Sequence, residues 1–115
     1  MQPAVINYTL YQGTTFKKSF QWLSGSTPTN LTGCTIKMQV RATYDSELAL
    51  ELTTPSSGIT IVDAVNGEFE ILIAPAQSQD FTNLKYLYDI EITFPNSTVF
   101  RVIQGELRLS RGVTR

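Results

Sequence analysis

Apolar and polar residues alternate along most of this chain with a period of two. The clearest run spans 34–43, where Cys34, Ile36, Met38, Val40 and Ala42 share one parity and Thr35, Lys37, Gln39, Arg41 and Thr43 the other. Successive strand side chains point to opposite faces, so this pattern predicts a strand with one face in a core and one in water. A second such run covers 86–94, with Tyr86, Tyr88, Ile90, Ile92 and Phe94 set against Asp89, Glu91 and Thr93. Thr15–Leu23 puts Phe16, Phe20 and Trp22 on one face. Lys18 shares that face, and its stem length predicts a place near a sheet end where the ammonium meets water. Ala4–Leu10 reads as an edge strand with Pro3 at its start, since proline donates no ladder hydrogen bond.

Leu48–Thr53 alternates on leucine, and Pro55 with the Ser56-Ser57-Gly58 turn keeps it too short for a stable helix. Ile59–Val62 and Glu68–Ile73 flank Asn66-Gly67, a pair suited to the positive φ angles of a type I′ hairpin turn. Ala74–Leu84 is the one stretch with helical spacing. Pro75 fits a first helical turn, and Phe81 and Leu84 fall where they can pack inward.

Lys85–Ser110 reads as the central hairpin, turning at Pro95-Asn96-Ser97-Thr98. Its return strand breaks the rule, because Val99–Ile103 is apolar on both parities. Two readings stay open. A β-bulge near Gln104-Gly105 shifts the alternation by one residue, or a partner chain covers the outer side of Phe100 and Val102.

Seven or eight short strands at about 8–12-residue spacing with a single helical turn at about 75–83 predict an all-β, immunoglobulin-like sandwich. A small closed barrel is the alternative. The tyrosines entering the 86–94 strand just after the helical turn fall where such sandwiches place a tyrosine corner. A chain of 115 residues predicts one domain, with extended terminal segments at about 1–8 and 110–115.

Composition narrows the function. At 42% hydrophobic and 17% charged the chain has the balance of a globular protein, and its net charge of -1 argues against nucleic acid as a main partner. No apolar run reaches the ~18 residues of a membrane helix, and residues 1–5 lack the basic and apolar regions of a secretory signal. Histidine is absent and Cys34 is the lone cysteine. An intrachain disulfide, a thiolate–imidazole zinc cage and a Ser-His-Asp or Cys-His constellation are thereby excluded. Cys34 reads as a small core hydrophobe in a reducing cytoplasm.

The carboxylate pairs Glu68/Glu70 and Asp89/Glu91 sit on the polar parity of their strands rather than in the apolar setting that acid catalysis asks of one member. No calcium-loop or phosphate-loop pattern occurs. Lys37 and Arg41 form a short basic stripe best matched to acidic neighbours on adjacent strands. Three Asn-x-Thr matches begin at Asn7, Asn30 and Asn96, as chance allows in a chain this rich in Asn and Thr. No catalytic residue, cofactor or metal is expected, and the chain is not expected to be an enzyme.

Certain stretches carry a resemblance. They are Gly-Thr-Thr-Phe-Lys-Lys-Ser-Phe-Gln-Trp (13–22), Leu-Thr-Gly-Cys-Thr-Ile-Lys-Met-Gln-Val-Arg (31–41) and Gly-Ile-Thr-Ile (58–61), then Tyr-Leu-Tyr-Asp-Ile-Glu-Ile-Thr (86–93) and Gln-Gly-Glu-Leu-Arg-Leu-Ser-Arg-Gly-Val-Thr-Arg (104–115). In this order they resemble a family of small structural proteins of tailed bacteriophages and prophages. They are similar also to the virion-attaching N-terminal domain of some phage upper-baseplate proteins. The resemblance implies a non-enzymatic virion component, made in the host cytoplasm, that contacts other virion proteins and copies of itself. It would be a tail, baseplate or fibre-attachment adaptor, with a head or neck decoration as the alternative. Candidate assembly contacts are Leu72, Val99, Phe100, Val102, Arg111, Val113 and Arg115. The remaining alternative is a module that binds glycans or a cell surface through Tyr8, Tyr11 and Tyr44.

Overall fold

The structure, a computed structural model, describes residues 2–113. Two sheets face each other in an immunoglobulin-like sandwich. The larger contains β6 (Thr35–Arg41), β7 (Leu48–Thr53), β10 (Lys85–Thr93) and β11 (Val99–Ser110), in the order β11-β10-β6-β7, all antiparallel. Along the outer edge of β11 run two short strands, β1 (Ala4–Val5) and β2 (Tyr8–Tyr11), both parallel to it. The smaller sheet is β3 (Phe16–Gln21), β9 (Glu68–Ile73) and β8 (Ile59–Asp63), in that order. A two-stranded ribbon of β4 (Leu23–Ser24) and β5 (Thr27–Pro28) extends from the end of β3. The one helix among the described residues, α1 (Pro75–Gln79), links the sheets through the β9–β10 connection.

Alternation supplies the core. Ile36, Met38, Val40, Ile90, Ile92 and Leu107 of the larger sheet, and Ile59, Phe69, Ile71 and Ile73 of the smaller, are all almost fully buried. Each such side chain removed from water stabilises the fold by about 1.5–3 kcal/mol. Cys34 belongs to the same layer, as its parity predicts, and burial pushes its thiol pKa up. The tyrosine corner is formed as expected: the Tyr86 hydroxyl accepts the backbone N–H of Thr82 at 2.9 Å and of Asn83 at 3.0 Å.

Four local expectations need correction. The first strand is two, broken at Ile6-Asn7. The helical piece is a single five-residue stretch rather than one reaching residue 83. The Asn66-Gly67 pair sits in a four-residue connection between Asp63 and Glu68, and only Gly67 has positive φ, so the turn is not type I′. The apolar return strand contains a bulge, at Val102 rather than at Gln104-Gly105. β10 pairs Ile90 with Ile103 and Glu91 with Arg101, leaving Val102 as the extra residue. Val102 and Ile103 both face the core at 5% and 7% exposure. The bulge accounts for the double parity, and Val102 is therefore not an outward contact. Phe100 lies opposite Ile92 and turns inward too.

Gly105 has a different task. A Cβ there would overlap the backbone carbonyl of Ile6, so this position lets the broken N-terminal strand cross close over β11. The crossing is pinned by Tyr88, whose hydroxyl donates to the Ile6 carbonyl at 2.7 Å, and by Asn7, whose Oδ1 accepts the Glu106 N–H at 2.9 Å.

Candidate functional site

The sandwich does not close evenly along the side where β1 and β3 face each other. β1 pairs with β11 only at Ile103 and Gln104, and β2 takes up again at Leu107, so the Val99–Val102 end of β11 has neither strand on its outer edge. β3 bonds to β9 alone. Between these two margins lies an apolar groove of about 850 Å³, floored by Phe69, Val102 and Ile103 and walled by Ile6, Phe20 and Trp22. No charged side chain among the described residues lines it.

Three aromatic rings meet at its mouth. Trp22 lies 5.8 Å from Phe94 and 5.7 Å from Phe100, and Phe94 meets Phe100 edge-on at 5.7 Å. All three are only partly buried. Trp22 is held by its backbone, whose N–H donates to the Gly67 carbonyl at 2.9 Å while its carbonyl accepts the Thr29 N–H at 2.9 Å. The missing side chain of Gly67 makes this close approach feasible, since a Cβ there would stand 2.8 Å from the Trp22 carbonyl oxygen. The three rings, each in contact with the other two, present a contiguous apolar surface to the groove.

The expected contact residues fall on separate surfaces. Leu72 projects from the outer face of the smaller sheet at 40% exposure, and Val99 from that of the larger at 52%. Arg111 and Val113 are exposed beyond β11; Arg115 lies outside the described residues. Of the seven, Phe100 and the buried Val102 contribute to the groove. Trp22, Phe94, Phe20 and Ile6 complete the groove and were not among the expected contacts; Trp22 and Phe94 adjoin the turns at 23–30 and 95–98, whereas Phe20 and Ile6 carry no such local signal.

The three tyrosines do not form one surface either. Tyr8 is wedged between the sheets, 5.5 Å from Phe16 and 6.3 Å from Tyr88, with the Lys18 ammonium 5.3 Å from its ring centre. Tyr11 is exposed on the β2 edge, and Tyr44 on the β6–β7 turn, with β11 and β10 between them.

Carboxylates are spread over the outer faces beside cations. Glu70 pairs with Lys17 at 3.6 Å, Asp89 with Arg101 at 3.4 Å, and Glu106 with Lys85 at 3.6 Å and Arg108 at 3.3 Å. Such exposed pairs contribute at most about 1 kcal/mol each. Among the described residues no cluster of three or more His, Cys, Asp or Glu could hold a metal ion. No helix among them is long and apolar enough to cross a membrane.

No protein-family model matches the chain, and no curated protein matches it. What the groove can do follows from its own residues: it offers an uncharged, aromatic-walled recess that side chains of another protein can fill.

Proposed function

We propose that this protein is a non-enzymatic structural component of a tailed-phage virion, an adaptor of tail, baseplate or fibre attachment that works through protein–protein contacts. The supporting observation is the groove. Trp22, Phe94 and Phe100 keep partly exposed rings together at this groove, and aromatic side chains at the centre of a patch are what hot spots of association are made of. The motif resemblance supports the virion setting, and the groove supports a role in attachment.

The test uses the whole chain and the structural proteins encoded beside it, mixed and followed by light scattering after gel filtration. Wild type is expected to enter a complex in multiple copies. Ala4→Glu and Leu23→Glu each place a charge at the groove's exposed rim. Both should abolish association while changing folding stability by no more than about 0.5 kcal/mol, as surface substitutions do. A wild-type protein that stays monomeric and joins no particle component overturns the reading.

A further inference from the structure

The outer face of the larger sheet carries a second recess, shallow and polar, of about 450 Å³. Its size falls within the range of small-ligand sites, roughly 300–1,000 Å³. Leu87 is central, with Arg41 of β6 on one side and Glu106 of β11 on the other in the strand register. Gln39, Asp89 and Gln104 form the next row across the same three strands.

Above one end stands Tyr44, 86% exposed. Its turn is rigidly held. Ser46 Oγ accepts the Thr43 N–H at 2.9 Å, and the Arg41 guanidinium donates to the Ser46 carbonyl at 2.8 Å. A tyrosine presented by a braced turn offers a broad amphipathic surface at low entropic cost.

The polar floor is braced as well. Gln39 donates to Glu51 at 2.6 Å and accepts from Arg41 at 3.1 Å, while Arg101 contacts Asp89 at 3.4 Å and donates to Gln104 at 3.4 Å. These groups keep further capacity, since a carboxylate has about four acceptor sites and an amide two N–H donors. Two guanidinium groups, Arg41 and Arg101, and two carboxylates, Asp89 and Glu106, line the recess; Asp89 pairs with Arg101, and Glu106 with Lys85 and Arg108 outside it, so the lining has no net formal charge to single out an anion or a cation.

A ligand that fits must be neutral, carry apolar and polar faces together, and both donate and accept at close spacing. Sugar rings have that chemistry, with C–H groups on one face and hydroxyls around the rim. We propose that this recess binds a neutral glycan, a sugar ring packing on Leu87 and Tyr44 while its hydroxyls bond to Gln39, Asp89 and Gln104. The site is separate from the apolar groove and does not depend on it.

The test is an array of bacterial surface glycans, followed by NMR titration of the isotope-labelled protein with a free neutral oligosaccharide from the strongest hit. Shifts are expected at the backbone amides of Leu87, Asp89 and Gln104. Tyr44→Ala should weaken binding by about tenfold or more, the loss that follows when ~1.4 kcal/mol of contact is removed. Tyr11→Ala, on the far edge, and Ala4→Glu, at the groove, should leave it unchanged. An unaltered melting temperature of Tyr44→Ala shows that its fold is retained. Absence of any glycan binding, binding that survives Tyr44→Ala, or a protein partner on the same amides with no glycan would each overturn the proposal. Loss of assembly in Ala4→Glu with glycan binding intact bears on the groove alone.

Discussion

Tyr88 shows how one side chain can bind the parts of this fold together. Its ring is buried at 4% exposure and its hydroxyl reaches the Ile6 carbonyl across the β11 crossing. Burial, with Tyr8 close by, pushes the phenol pKa well above its ordinary value, and burial raises that of Tyr8 as well. The linkage has a definite sign. Below the ordinary tyrosine pKa of about 10 both folded and unfolded chains keep the proton, and stability is complete. As pH rises through 10 the unfolded chain releases it while the folded chain holds it, so stability falls. Thermal melts between pH 8 and 12 are therefore expected to decline from about pH 10 upward, and the decline should be shallower in Tyr88→Phe. The three Asn-x-Thr matches also gain a physical meaning at this scale. Asn30 and Asn96 each accept the N–H two residues on, at 2.9 and 3.0 Å, and Asn7 ties β11. Asparagine stands there because its side chain closes a turn or pins a strand.

At the scale of elements, Gly105 decides whether the N-terminal strands can lie where they do. Gly105→Ala would press a methyl group into the Ile6 carbonyl, and overpacking of this kind costs about 1–3 kcal/mol. Urea denaturation should show that loss, and hydrogen exchange should show the Ile6 and Glu106 amides losing protection first. The central strands were legible because 34–43 and 86–94 obey strict alternation, and a buried face must. The tyrosine corner was legible from the position of Tyr86 after the helical turn. Less could be read at 99–105. Alternation reveals that a strand shifts parity somewhere, but which residue is extra depends on its pairing with β10, and pairing is not a local property. The groove was hidden for the same reason: Phe94 and Phe100 flank one turn, but Trp22 comes from a distant part of the chain and meets them only once the sheets stack. The buried Ser78, whose Oγ accepts the Gly13 N–H at 2.8 Å, likewise gave no local sign.

The whole molecule measures 43 × 27 × 23 Å and guards its open edges. Lys17 and Lys18 sit on β3, an extra residue at Ala49 distorts β7, and another at Val62 distorts β8. Charges and bulges on edge strands discourage sheet-to-sheet pairing. The parallel strands on β11 have a further, mechanical consequence. Drawing Ala4 and Ser110 apart pulls β1 and β2 backwards along β11 as it is pulled forwards. The ladder bonds at 103–104 and 107–110 then bear the load together, in shear. Pulling between Lys85 and Ser110 would instead peel β10 from β11 one bond at a time, because those antiparallel strands meet at the same end. Single-molecule stretching through the first pair of positions should therefore require the higher rupture force. A chain wired in this way can carry tension between whatever is attached to its two ends.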